Sequence, residues 1–94
     1  MTKISIYSSV VVADDVVSCD LDGEAAILNL KDGVYYGLDP IGAKIWNLIQ
    51  KPKTIDDVVE VIWNEYDVDK NRCKDDIFEL VEELLDNGLV KFNE

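Results

Sequence analysis

The apolar positions between Asp20 and Ile49 change period, from alternation in two short hairpins to helical spacing after Asp39-Pro40. Val17, Cys19 and Leu21 alternate with Val16, Ser18 and Asp20, which predicts a strand over 16–21 with the first set facing inward. Asp22-Gly23 predicts a two-residue type I′ turn, because both central residues of that turn need positive φ. Pairing across it sets Leu21 opposite Glu24, Cys19 opposite Ala26 and Val17 opposite Leu28. Ala26, Leu28 and Leu30 then share the inward face. The second hairpin admits two registers. A two-residue turn at Asp32-Gly33 would send Val34, Tyr36 and Leu38 to the face opposite Leu28. A three-residue loop, Lys31-Asp32-Gly33 with Gly33 left-handed, pairs Leu30 with Val34, Leu28 with Tyr36 and Ala26 with Leu38. That register gives one continuous apolar face and is the one expected, with Tyr35 and Ile27 outside.

Helical signals follow. Asp39 predicts an N-cap and Pro40 suits the first helical position, ahead of a stripe of Ile41, Ile45, Trp46, Leu48 and Ile49. Thr54 predicts a second cap, before Ile55, Val58, Val59, Ile62 and Tyr66, with Asp56 and Asp57 at the positive end of the dipole. Asp69 opens a third helix whose stripe is Cys73, Ile77, Leu80, Val81, Leu84 and Leu85. Val68 and Cys73 are spaced for a hydrophobic staple, and Gly88 predicts a Schellman stop with Leu89 folding back. The tail Leu89–Phe92 adds a short strand or docks. The first fifteen residues, with Ile4, Ile6 and Val10–Val12, offer one more strand. Three strands and then three helices predict an α+β domain resembling a winged helix-turn-helix, a single domain over 1–94 with its core about 10–92.

Composition changes the picture in one direction. Ninety-four residues with 48% apolar content suffice for one small core. The formal charge of −11 works against binding a polyanion. No apolar run is long enough to span a bilayer and no signal peptide opens the chain, so a cytoplasmic protein is expected. Cys19 and Cys73 fall in a predicted strand and helix and are expected as buried free thiols, and C-x-x-C spacing for zinc is absent.

Catalytic chemistry has few carriers here. The chain has no histidine, which removes the usual proton carrier at neutral pH. Asp14-Asp15, Asp56-Asp57 and Asp75-Asp76 read as solvated surface before they read as an acid–base pair. Asp67-x-Asp69-x-Asn71 starts like a calcium loop, but Arg72 stands where glycine is needed and Phe78 where the bidentate glutamate belongs. No metal and no cofactor are expected. As a DNA reader, the third helix would present Asp75, Asp76, Glu79, Glu82, Glu83 and Asp86 to phosphates, so no nucleic-acid partner is expected either. What remains is the edge of the third strand. Its backbone N–H and C=O groups can accept a peptide as an extra strand, with Val34, Cys73, Ile77 and Leu80 flooring pockets beside it.

The order of motifs supports that reading. D-L-D-G-E, then ILNL, VYYGL, DPIGAKIWNLI and a terminal LLDNGLV resemble the PqqD-like peptide-recognition domains over roughly residues 10–92. The likeness is greatest to the free-standing forms of lasso-peptide biosynthesis. Members are called RiPP recognition elements, RiPP meaning a ribosomally made, post-translationally modified peptide. The resemblance implies a non-catalytic protein that binds a precursor's leader segment as a strand added to its third strand, against the third helix. Val34, Tyr35 and Tyr36 would supply the edge, and Cys73, Asp76, Ile77 and Leu80 would line the groove. Leaders of the lasso type carry Tyr, Pro and Leu anchors, which suits an apolar groove. The implied partners are the leader, a separate transglutaminase-like cysteine protease and a macrocycle-forming cyclase, with no membrane. The same fold serving a radical-SAM peptide-modifying enzyme is the alternative within this class. A small winged-helix transcription regulator, or a subunit completing an enzyme's active site, is the alternative from others.

Overall fold

A computed structural model describes residues 4–93. Its first hairpin follows from Asp22-Gly23, whose φ values of 55° and 85° make the type I′ turn. β2 (Val16–Leu21) pairs with β3 (Glu24–Asn29) in the expected register, Leu21 with Glu24, Cys19 with Ala26 and Val17 with Leu28. An additional strand, β1 (Ser9–Val12), precedes them, so the expected third strand of the meander is β4 (Tyr35–Leu38). The sheet order is β2-β3-β4.

The second hairpin corrects the expected register by one residue. Ile27 faces Tyr36, Ala25 faces Leu38 and Leu28 faces Tyr35, so the loop holds four residues, 30–33, not three. Asn29 fixes its length. It is buried, its Oδ1 accepts the Lys31 N–H at 3.0 Å, its backbone N–H donates to Val34 O at 3.1 Å, and its Nδ2 donates to Asn87 O at 3.3 Å. Gly33 is left-handed as expected, with φ 73°. Because strand side chains alternate, the one-residue slip reverses the faces of β2 and β3. Ala25 and Ile27 are buried with Leu38 and the half-buried Tyr36 packs on the same side, whereas Cys19, Leu21 and Leu30, expected inside, are exposed. Ser18 belongs to the inner side, where its Oγ accepts the indole N–H of Trp46 at 3.0 Å.

All three helix caps form as read. Asp39 Oδ1 accepts Gly42 N–H at 2.7 Å at the head of α1 (Pro40–Leu48). Thr54 Oγ1 accepts Asp57 N–H at 3.1 Å ahead of α2 (Ile55–Glu65), and Asp69 Oδ2 accepts Arg72 N–H at 3.2 Å ahead of α3 (Lys70–Asp86). α3 ends in the Schellman pattern, with Leu89 N–H on Leu84 O at 2.9 Å, Gly88 N–H on Leu85 O at 3.1 Å and Gly88 at φ 72°. The chain then forms β6 (Val90–Phe92), which pairs with β1. The short β5 (Lys53–Thr54) takes the other side of β1, making a second small sheet in the order β5-β1-β6. The core joins Ile27 and Leu38 of the meander to Ile45, Trp46 and Ile49, to Ile55, Val58, Val59 and Ile62, and to Ile77, Val81 and Leu84. No helix among the described residues is long and apolar enough to cross a membrane.

Candidate functional site

Among the described residues β4 bonds to β3 on one side only, so its other edge is open. Asn29 N–H donates to Val34 O, and antiparallel alternation then gives the inward bonds to Tyr36 and Leu38. The N–H and C=O of Tyr35 and Gly37 are left pointing at the free edge. The space around Gly37 is open, since a Cβ there would meet nothing within 4 Å.

A cavity of about 600 Å³ lies beside this edge. β4 supplies Tyr36 and Leu38, and the first turns of α1 supply Ile41 and Ile45. The end of α2 and the connector after it supply Ile62, Tyr66 and Val68, and α3 supplies Arg72, Cys73, Asp76, Ile77 and Leu80. The caps set this geometry: Asp39 and Asp69 start α1 and α3 where their first turns converge on β4, and both carboxylates also lie on the cavity wall. The floor is apolar and the charges stand at the entrance. Among the described residues, Arg72 and Asp76 make no ion pair with one another or with neighbours.

Of the residues singled out in the sequence, Tyr36, Cys73, Asp76, Ile77 and Leu80 come together on this cavity. Tyr35 adjoins it through its backbone, while its side chain is exposed on the other face of the sheet. Val34 is also exposed; it precedes the strand, and its carbonyl is taken by Asn29. Sequence periodicity missed Ile41, Tyr66 and Val68. Ile41 was assigned to the α1 core stripe, yet it is exposed at the cavity mouth, as is Val68. Their placement depends on how three helices meet, which no local spacing encodes.

Burial first, and then the nearby Glu83 carboxylate, push the Tyr36 hydroxyl up to about 12. Tyr36 therefore stays a neutral phenol, an apolar ring with one donor, across the physiological range. Burial, followed by the charge of Asp76, also pushes the Cys73 thiol up. Cys19 and Cys73 are both free, but only Cys73 is buried; Cys19, expected inside, is exposed. Iodoacetamide at pH 8 should therefore consume Cys19 at least about tenfold faster than Cys73, because the thiolate is the nucleophile and must be reached. Peptide mass mapping over time checks this, and equal rates would contradict the buried placement of Cys73.

An open strand edge beside an apolar groove, in a small α+β domain, is the arrangement that strand-addition peptide binders use. The family model described as "Coenzyme PQQ synthesis protein D (PqqD)" matches residues 24–90. The chain belongs to the PqqD family, to whose RiPP recognition elements its motifs pointed. Among solved structures it resembles TbiB1 in complex with the TbiA(beta) leader peptide, at 33% identity and a TM-score of 0.81, over 86% of this chain and 94% of that one. It shares the fold of a lasso peptide synthetase B1 complexed with the leader peptide, at 23% identity and a TM-score of 0.78, over 87% of this chain and 96% of that one. No curated protein matches the chain in sequence.

Proposed function

We propose that this protein binds the leader segment of a ribosomally made precursor peptide as a strand added to β4. It holds the leader against α3 and delivers it to a separate cysteine protease of the transglutaminase type and then to the macrocycle-forming cyclase of a lasso-peptide pathway. The protein acts in the cytoplasm, without a cofactor and without a catalytic group of its own. The observation that carries this reading is the open β4 edge running beside the apolar cavity, with Tyr36, Ile77 and Leu80 on the cavity wall. TbiB1 was solved with a leader peptide, and the fold shared with a lasso peptide synthetase B1 favours a lasso pathway over a radical-SAM one. The exposed carboxylates of α3, from Asp75 to Asp86, give a DNA-binding reading nothing to rest on.

Tyr35 and Gly37 offer about four backbone bonds, each of net value about 1 kcal/mol, and two apolar anchors add about 2–3 kcal/mol each. Ordering a flexible peptide takes back several kcal/mol, roughly 2 or more. The balance is at most about −6 to −8 kcal/mol, a dissociation constant of about 1–40 µM. Titration calorimetry of the isolated protein with the leader encoded beside it should give saturable binding in that range. Absence of heat and of saturation with every co-encoded peptide would refute the reading.

A further inference from the structure

Apolar contact is non-directional, so the floor of the groove accepts many apolar peptides alike. Discrimination has to come from polar groups around it. Arg72, Asp76 and Leu80 stand four residues apart on α3 and form one row along the cavity wall. Ion pairs engage Lys31, Lys44, Lys70 and Lys91, but among the described residues neither Arg72 nor Asp76 is in one. Their order accounts for part of this, because a cation N-terminal to an anion is the weaker arrangement at helical i,i+4 spacing. The other two carboxylates on the wall, Asp39 and Asp69, are held as N-caps. Asp76 also lies near enough to the buried Cys73 thiol for its charge to help push that thiol up, after burial itself. Its carboxylate is within reach of a peptide in the groove.

We propose that this row reads alternate residues of the leader; the inference rests on the leader-binding reading above. Arg72 takes an acidic side chain, Asp76 a basic one two residues on, and Leu80 an apolar one two residues further. Periodicity carries the match. Four residues of helix rise about 6 Å, and two residues of strand about 6.8 Å. Helix row and strand row thus stay in step to within about 1.6 Å over two repeats, a mismatch that the long Arg72 side chain absorbs. Side chains of an added strand alternate in direction. Every second one therefore shares the inner side of the sheet with Tyr36 and Leu38 and meets α3 across the cavity.

The order of charges in the leader follows from the direction of α3. Tyr36, early in β4, stands beside Glu83 near the end of the helix. Asp69, at the helix start, shares the cavity with Asp39, just past the end of β4. α3 therefore runs opposite to β4, and a leader strand antiparallel to β4 runs along α3. Antiparallel pairing is the more stable of the two. From its N-terminal side, the leader segment then reads acid, any residue, base, any residue, apolar. An ion pair in open solvent contributes little, but a peptide strand laid over the row takes both charged heads partly out of water, where a mismatched charge is penalised. Arg72 and Asp76 set specificity, and the apolar floor supplies affinity.

The test uses the full chain and fluorescein-labelled synthetic copies of the leader encoded beside it, with each position replaced in turn by Glu, Lys and Leu. Fluorescence polarisation gives the affinities. One position should prefer Lys over Glu by at least about fivefold, and the position two residues before it should prefer Glu over Lys by a similar factor. Two residues after the Lys position, Leu should bind best. Asp76→Lys should invert the first preference alone, and Arg72→Glu the second alone. Asp75→Lys and Lys74→Glu make the same changes of net charge at neighbours that do not line the cavity, and should invert neither. Should a reversal variant melt early, Asp76→Asn and Arg72→Gln replace the pair and should flatten the same two preferences. A wild-type chain that binds none of these peptides refutes the leader-binding reading itself. Leader binding with no position that inverts, inversion by the neighbouring controls as well, or a spacing other than two residues overturns the charge code alone.

Discussion

Replacing Leu80 by aspartate is expected to remove leader binding while leaving the fold in place. Leu80 is half-buried on the cavity wall, one turn from Asp76 and from Glu83 along the same helix. A carboxylate at position 80 would sit among like charges at i−4 and i+3, and an incoming apolar anchor would leave it unpaired. The cost is about 2–3 kcal/mol, or roughly 30- to 150-fold in affinity. Leu80→Met, which keeps volume and polarity, should bind nearly as the wild type. Ile77 makes the contrast. It lines the same cavity but is only 2% exposed and packs into the core, so Ile77→Asp should unfold the protein before its binding can be read. Calorimetry with circular dichroism on each variant separates these outcomes. A folded Leu80→Asp protein with undiminished affinity would remove α3 from the binding site.

The largest effect on stability is expected at Trp46. This side chain is 1% exposed, reaches the inner face of the meander, and donates its indole N–H to Ser18. Trp46→Ala should cost about 3–5 kcal/mol through lost contacts and the cavity left behind. A domain of this size holds only about 5–15 kcal/mol in total. At about 4–8 °C per kcal/mol, the melting temperature should fall by roughly 12–40 °C. Trp46→Phe retains most of the packing. The Ser18 hydroxyl is on an exposed residue and can turn to water, so the missing bond should cost about 1 kcal/mol. A Trp46→Ala protein melting within a few degrees of the wild type would mean that α1 does not anchor the sheet.

Legibility in the sequence tracked how local each determinant is. The Asp22-Gly23 turn and the caps at Asp39, Thr54 and Asp69 are each settled within four residues, and each formed as read. The sheet faces were not settled locally. β3 is apolar on both sides, so alternation could not choose between Ala26 with Leu28 and Ala25 with Ile27. Two facts outside the strand decide it. Asn29 reaches Asn87, fifty-eight residues away, and Trp46 takes Ser18 as its partner, which makes a polar position an inner one. The groove was half legible for the same reason. Helical phase brought Cys73, Asp76, Ile77 and Leu80 to one wall, but Ile41, Tyr66 and Val68 join it only through the meeting of separate helices.

The small sheet has a consequence for how the chain is made. β1 pairs through Val10–Val12 with β6, more than seventy residues later, and its other neighbour β5 offers only Lys53 and Thr54. Synthesis at about 5–20 residues per second separates the appearance of β1 from that of β6 by roughly 4–16 s. The hairpins of the meander close in microseconds once they emerge. Throughout that interval Val10, Val11 and Val12 lack their β6 partner, and an apolar segment without a strand partner is the kind that recruits other chains into aggregates. β6 thus acts as the cover that ends the hazard β1 creates.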